Sequence, residues 1–490
     1  MQLAPYDAGI FSIIPPLIAI ILALISKEVI FSLLMGILSG TFIYSMASGL
    51  GLAGTFTVTV SLLIDRLSAN SDMVIFLVML GALLSLVIAA GGAGAYTSWA
   101  SKRLKSAKST KLAVCFLGLF LFIDDYFSCL TIGNIMRPLT DKHKTSREKL
   151  AYLIDTTAAP VSIIAPLSSW AAAVISILRG STKIDGMQLF LLTIPMNLYA
   201  LLSVFFVFYI CIKPKANFGL MAKAEKRAQE DERKSENDDY PKNNKGTMAD
   251  LIIPILVLII VSVISLLRSD FGTALVLGVF CALLCCFIMY IPRRLLKLGE
   301  FFSSLCEGIK SIVPAVIILI LAWTISSVCH SLLSIGPYIG SILNTSIFPM
   351  TLIPALFFMA ACGLSFATGT SWGTFGILIP IVIPICEAAA PHLLIVSVSA
   401  ILGGGVFGDH SSPISDSTIL SSQGAKCPHM DHVNSQLPYA LTVAGICFIG
   451  YIVFGITSNM GYWISTSISL GVSLILLSSI LILLPRTRHT

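Results

Sequence analysis

Charge is what this chain has least of. Only 11% of its 490 residues are Asp, Glu, Lys or Arg, against about 25% in a typical soluble domain. A chain that poor in charge and 56% hydrophobic cannot keep its whole surface in water. Long polar stretches are also scarce: one, at 213–248, interrupts a series of apolar runs from Ile10 to Leu484. A bilayer-spanning helix needs about 20 such residues. The twelve cysteines include no CxxC pair and no metal-ligand spacing, which argues against a disulfide framework or a structural zinc site. No HExxH is present. Asp409, His410 and Ser411 are consecutive, and a catalytic triad needs its base between nucleophile and acid in space, so a hydrolase is not expected. The net charge of +6 sits in loops and does not call for nucleic acid. The first apolar run lacks a small-residue cleavage pattern and is followed at once by another, so no removable signal is expected.

What is present is a many-span pattern. Spans are expected near 9–26, 29–46, 73–92, 149–178, 187–212, 249–267, 271–291, 310–334, 392–421, 436–456 and 463–484. Two further apolar stretches, 112–139 and 351–386, have polar centres, FIDDYFSCLTIGN and SFATGTSWGTFG. Each could be a spanning helix or a re-entrant hairpin. Basic residues collect in cytoplasmic loops, and they decide the matter. Lys102, Arg103, Lys105, Lys108 and Lys111 precede the first stretch, and Lys142, Lys144, Arg147 and Lys149 follow it. If both stretches are hairpins, the N-terminus is outside and the C-terminus inside. Of 31 Lys and Arg, only Arg66, Arg179, Lys183, Arg268 and the hairpin residue Arg137 then miss the cytoplasm. The expected fold is therefore an all-α membrane protein of about eleven transmembrane helices, with two re-entrant hairpins and two broken helices.

The two halves read alike. Residues 1–212 and 249–456 each start with a proline-containing run, a charged break and a second run. Each continues with a span, a polar-centred hairpin and a polar-centred span. Five crossings per half would make consecutive repeats antiparallel, the inverted repeat of many secondary transporters. The segment 213–248 is expected to be a cytoplasmic linker, and 457–490 an extra C-terminal span. Shortening 218–245 is expected to leave transport mostly intact.

Polar groups at membrane depth survive only beside protein or a water-filled cavity. Four segments carry them: Asp124, Asp125, Ser128, Thr131 and Asn134; Asp155, Thr156, Ser168, Ser169 and Trp170; Thr368, Thr370, Ser371, Trp372 and Thr374; and Asp409, His410, Ser411, Ser412, Ser415, Asp416 and Thr418. A carboxylate at a helix centre costs about 2.5–3.5 kcal/mol on insertion scales, so these acids are candidates for ion or substrate binding. Asp124, Asp125 and Asp155 could instead cap helices near an interface, single hydroxyls often bond their own backbone, and the tryptophans could simply pack. Asp409 and Asp416, with Ser412 and Ser415 between them, form an oxygen-rich set suited to sodium. A carboxylate there can also exchange a proton. On this reading Asp416→Asn abolishes coupled transport and Asp409→Asn cripples it.

FGDHSSPISDSTILSSQGA at 407–425 and DHVNSQLPYA at 431–440, with SFATGTSWGT at 365–374 and FIDDYFSCLTIGNIMRP at 122–138, resemble the NhaC-type sodium/proton antiporters over nearly the whole chain. The resemblance implies a secondary transporter of a larger ion-transporter superfamily built on hairpins and broken helices. It implies sodium and protons as coupling ions with no cofactor, a prokaryotic plasma membrane, lipid contacts and a homodimer. Members differ in cargo: sodium and protons, lactate and malate, or amino acids. Sodium/proton antiport is the leading expectation. Coupled transport of an organic acid or amino acid is the second, because Trp170 and Trp372 offer an aromatic wall that a bare ion does not need. A channel would show flux without coupling.

Overall fold

The computed structural model describes residues 4–483 apart from 27, 92–99, 101–102, 180–181, 183, 214–215, 231–245, 267, 336–337 and 339–348. Among the described residues there is no strand. The first half contains α1 (Ile14–Ser26), α2 (Val29–Ala47), α3 (Gly51–Ala69), α4 (Ser71–Ala89), α5 (Ala107–Phe120), α6 (Asp125–Lys142), α7 (Arg147–Ser162), α8 (Ser169–Leu178), α9 (Gly186–Thr193) and α10 (Leu198–Ile212). A short helix, α11 (Gly219–Glu230), follows. The second half contains α12 (Met248–Leu266), α13 (Phe271–Tyr290), α14 (Leu298–Ser327), α15 (Ile353–Thr368), α16 (Ser371–Ala389), α17 (Leu394–Ser411), α18 (Asp416–Ala425) and α19 (His429–Thr457), and α20 (Tyr462–Leu483) ends the chain.

Among the described residues eleven helices are long and apolar enough to cross a membrane, or twelve if the bent pair of α9 and α10 is one span. The protein is an all-α, multi-pass membrane protein. The eleven are not the same set as the eleven expected spans. They include both legs of the second polar-centred stretch, and they include α3, where no span was expected. Its sequence, GLAGTFTVTVSLLIDRLSA, is diluted by hydroxyls and ends in Asp65 and Arg66, and its best window reaches a mean hydropathy of only 1.2. One of these hydroxyls is hidden by pairing. Thr59 donates to the Thr55 carbonyl at 2.8 Å and meets Thr41 of α2 at 2.8 Å.

All four polar-centred segments are broken helices. α5 and α6 meet at residues 121–124, α7 and α8 at 163–168, α15 and α16 at Gly369–Thr370, and α17 and α18 at 412–415. The same order of elements recurs in both halves, with α3 as the addition to the first. α4 and α14 cross at Gly81 and Gly308, which lie equally far from the starts of their helices. A Cβ on Gly81 would fall 2.5 Å from the Gly308 carbonyl oxygen, and one on Gly308 would come closer still to that of Gly81. Close backbone approach through small residues is how membrane helices gain packing without a hydrophobic driving force.

The described start of the linker is not a free connector. Glu225 of α11 is buried, pairs with Lys111 of α5 at 3.3 Å and accepts the Ser146 N–H at 2.9 Å, at the N-terminus of α7. Asn217 accepts from Lys149 at 2.8 Å, and the Phe218 ring lies 4.3 Å from that of Tyr439 in α19. The stretch 216–230 therefore straps α5, α7 and α19 together. Glu225→Ala strands a buried ammonium, and breaking a buried pair costs about 3–5 kcal/mol. The expected result is a lowered midpoint of thermal unfolding in detergent, while deletion of 231–245 leaves it unchanged.

Candidate functional site

The site begins with the breaks, because each break exposes helix termini. Asp124 caps α6: its Oδ1 accepts the Phe127 N–H at 3.0 Å. Its Oδ2 accepts the Ser169 hydroxyl at 3.0 Å, and the Ser169 N–H donates to the Ile123 carbonyl at 2.8 Å. The turn of the first helix pair thus sits against the start of α8. Next to it, the Trp170 indole N–H donates to Asp125 Oδ1 at 2.9 Å. Ser168 caps α8 by accepting the Ala171 N–H at 2.9 Å, and it closes the break by donating to the Ser162 carbonyl at 2.6 Å.

The second half repeats the plan with one carboxylate at its centre. Asp409, near the end of α17, accepts the Ser371 N–H at 3.1 Å and the Ser371 hydroxyl at 2.8 Å through Oδ2. Ser415, the N-cap of α18, donates to its Oδ1. One buried carboxylate therefore ties the N-terminus of α16 to the N-terminus of α18. The turn before α16 requires glycine: Gly369 has φ of 68°, and a Cβ there would lie 2.8 Å from the Ile414 carbonyl oxygen.

The two clusters are joined. The rings of Trp170 and Trp372 are 5.6 Å apart, with Phe375 5.9 Å from Trp170. Tyr126 donates to Asp416 Oδ2 at 3.3 Å. The N-termini of α6, α8, α16 and α18 therefore share one region. Each carries the partial positive charge of its helix dipole, offset here by Asp124, Asp125 and Asp409.

A third cluster lies behind the second. Asp155 of α7 accepts from the Gln436 amide at 2.9 Å, and His432 Nε2 is 3.6 Å away. Gln436 also donates to the His410 carbonyl, and His410 Nε2 meets the Tyr199 hydroxyl. His410 thus faces α10 and α19, away from the side chain of Asp409.

The expected site residues divide on these contacts. Asp124, Asp125, Ser168, Ser169, Trp170, Ser371, Trp372, Asp409 and Ser415 are brought together as above. Asp416 is not in that buried set: it is exposed and reaches Tyr126. The Ser412 hydroxyl donates to the Phe366 carbonyl at 2.7 Å and its N–H to the Asp409 carbonyl at 3.1 Å, so of the other three residues expected to hold sodium only Ser415 bonds the Asp409 carboxylate. Thr368, Thr374 and Ser411 bond the carbonyls of their own helices. Thr418 donates to the Asp409 carbonyl at 3.5 Å, and Thr370, at the start of α16, makes no side-chain capping bond. Ser128, Thr131, Thr156, Asp125 Oδ2 and Asp155 Oδ1 are buried without a hydrogen-bond partner among the described residues. The side chain of Asn134 lies outside the described residues. Among the described residues no group of three His, Cys, Asp or Glu could hold a metal ion, so a cation at Asp409 relies on hydroxyl and carbonyl oxygens.

Residues 369–373 also read G-x-S-x-G, the spacing of a hydrolase nucleophile turn. Here the pattern joins two helices rather than a strand and a helix, and the one Ser371 hydroxyl hydrogen is shared between Asp409 Oδ2 and the Gly405 carbonyl instead of going to a histidine. Tyr199, His432 and Gln436 were not among the expected residues, and they lie behind the site in the third cluster. The spacing of His432 and Gln436, four residues apart in DHVNSQLPYA, puts both on one helix face and was the available signal.

A model of the Na+/H+ antiporter family matches residues 172–456. An uncharacterized protein of Haemophilus influenzae is 38% identical over 507 aligned positions, covering 96% of each chain. The malate-2H(+)/Na(+)-lactate antiporter of Bacillus subtilis is 33% identical over 220 positions, 39% of this chain and 44% of that one. The arginine/ornithine antiporter of Halobacterium salinarum is 36% identical over 115 positions, 22% of this chain and 23% of that one. With more than half its length matched by that model, on a fold of broken membrane helices, this chain belongs to the Na+/H+ antiporter family and is a secondary active transporter.

Proposed function

We propose that the protein exchanges sodium for protons across a prokaryotic plasma membrane, and that the exchange centres on Asp409 with Asp155 behind it. The observation that carries this reading is the bonding of Asp409. One carboxylate holds the Ser371 N–H, the Ser371 hydroxyl and the Ser415 hydroxyl, and so joins the second helix pair to the second broken helix. Sodium bound to Asp409 would turn the lone pairs of those two hydroxyls toward itself, and the helix termini would have to re-pair. Sodium and a proton compete for the same negative charge, because protonation removes the ligand charge. Asp155 shares that charge as an electrostatic neighbour of Asp409.

The reading includes topology. The turn at Asp124 meets the break between α7 and α8, in the middle of a spanning segment rather than at its end. That supports a re-entrant first pair and, by the matching order of elements, a re-entrant second pair; with α3 a sixth crossing in 1–212, the inverted repeat holds for α4–α10 against α14–α19. With α3 as a crossing, the basic loops around 102–111 and 142–149 stay cytoplasmic only if the N-terminus is inside. The N-terminus is therefore proposed inside, where the sequence alone placed it outside, and the C-terminus is kept inside. A homodimer embedded in lipid is the assembly proposed.

A second reading is coupled transport of an organic acid or amino acid. The paired rings of Trp170 and Trp372 among four helix N-termini favour it, and similarity to the malate/lactate and arginine/ornithine antiporters supports it. Flux in proteoliposomes separates the two. Sodium-driven proton movement with no added solute supports exchange of the bare ions. Movement that starts only when a carboxylate or amino acid is supplied replaces that reading with the second.

A further inference from the structure

We propose that His429, Ser422, His432 and Asp155 form a proton relay from the basic face of the protein to the buried carboxylates, separate from the exposed side of the site where Asp416 and Tyr126 lie. The inference rests on the proton-exchange reading above. It is carried by three side chains, His429, Ser422 and His432, that no part of the sodium site requires.

His429 is half-buried at the start of α19, in the loop where the Lys426 carbonyl accepts from Arg147 at 3.2 Å. Its Nδ1 lies 3.2 Å from Ser422 Oγ, and Ser422 Oγ lies 2.9 Å from His432 Nδ1. His432 Nε2 is 3.6 Å from Asp155 Oδ2. Three of the four groups are fully buried. Buried chains of His and acidic side chains at membrane depth are costly and mark proton routes in transporters.

The bonding fixes how the chain would run. The Pro413 carbonyl can only accept, so His429 Nε2, 2.7 Å away, carries its hydrogen there. His432 Nε2 likewise donates to Gln436 Oε1 at 2.7 Å, because the amide nitrogen of Gln436 already serves Asp155 and the His410 carbonyl. Both Nδ1 atoms are left facing Ser422 Oγ, whose single hydrogen rests on the Thr418 carbonyl at 2.7 Å. A proton taken up by His429 puts a hydrogen on its Nδ1. That hydrogen passes to Ser422 Oγ while Ser422 turns its own from the Thr418 carbonyl to His432 Nδ1. The His432 imidazolium then turns its Nε2–H from Gln436 Oε1 to Asp155 Oδ2, closing the present 3.6 Å, and releases the hydrogen there. One proton enters, one reaches Asp155, and no electrons move. Gln436 cannot conduct; it is a positioning residue that holds His432 against Asp155. The other titratable groups facing this chain are His410 of α17, Asp409 beyond Asp155, and Cys129 of α6.

The competing account is that these bonds only hold α7, α18 and α19 together. Two fluxes in proteoliposomes distinguish them. Exchange of radioactive sodium at equal pH and equal sodium needs no net proton, whereas sodium-driven proton movement does. His432→Gln and Ser422→Ala are each expected to slow proton movement on the order of a hundredfold, the scale of losing a positioned proton-transfer group. Both should leave sodium exchange near wild type, and external imidazole should restore proton movement to His432→Ala. Unchanged proton movement in both variants overturns the relay. Parallel loss of both fluxes assigns the chain to structural support and also overturns it. Wild-type vesicles that exchange sodium but never move protons would instead remove the proton-exchange reading itself, and the relay with it.

Discussion

Asp409→Asn is expected to abolish sodium-coupled flux in protein that still inserts and folds. The substitution keeps the size of the side chain and one acceptor oxygen. It replaces the other acceptor with an amide that donates, facing the Ser371 and Ser415 donors that now bond the carboxylate. Hydrogen bonds to a charged group are worth about 1.5–3 kcal/mol each, so even one lost ligand weakens sodium binding roughly tenfold or more. Asp416→Asn is expected to do far less, because Asp416 is exposed and holds only Tyr126 by a bond of 3.3 Å. That reverses the order expected from sequence, where Asp416 was the more critical of the two. In wild type, apparent sodium affinity should fall as pH falls, since protonation removes the charge that holds the ion. The measurement is sodium-dependent flux at several pH values with matched protein amounts. A flat affinity between about pH 6 and 9, or an inactive Asp416→Asn beside an active Asp409→Asn, would move the ion away from Asp409.

Gly133→Ala is expected to cost nearly as much, although Gly133 carries no chemistry. It lies in α6 where α18 crosses, and a Cβ there would meet the Gly424 backbone carbon at 2.6 Å. A Cβ on Gly424 would in turn fall 2.9 Å from the Cys129 carbonyl oxygen. Neither neighbour is a flexible side chain that could turn aside. α18 must move, and it carries Ser415 away from Asp409 as it does so. Overpacking costs about 1–3 kcal/mol in stability. The loss of sodium-dependent flux should be larger, on the order of a hundredfold, the scale of misplacing a reacting group by about 1 Å. Gly363→Ala and Gly445→Ala are the controls, since a Cβ at either meets nothing within 4 Å. Normal flux in Gly133→Ala would show that the α6–α18 contact does not set the site.

The scarcity of charge and the recurring apolar runs determined by themselves that this is an all-α membrane protein, because only helices with internally bonded backbone survive there in such numbers. Polar centres at Asp124–Asp125, 163–168, Gly369–Thr370 and 412–415 were legible for the same reason: Gly, Ser and Asp in an apolar run break a helix and need partners. α3 was not legible, because hydropathy counts its Thr59 as polar and cannot see that this hydroxyl faces Thr41 of α2. Nor could spacing distinguish Asp409 from Asp416. They flank one break in the same motif, and the four-residue turn between them leaves Asp409 buried and Asp416 exposed. The tertiary structure alone decided which acid is buried. It also decided that His410 turns from its neighbour Asp409 toward Tyr199, and that His432 of a distant helix stands beside Asp155. Those outcomes depend on how helices far apart in the chain cross, at backbone contacts such as Gly133 on Gly424 and Gly81 on Gly308, and no local pattern encodes a crossing partner.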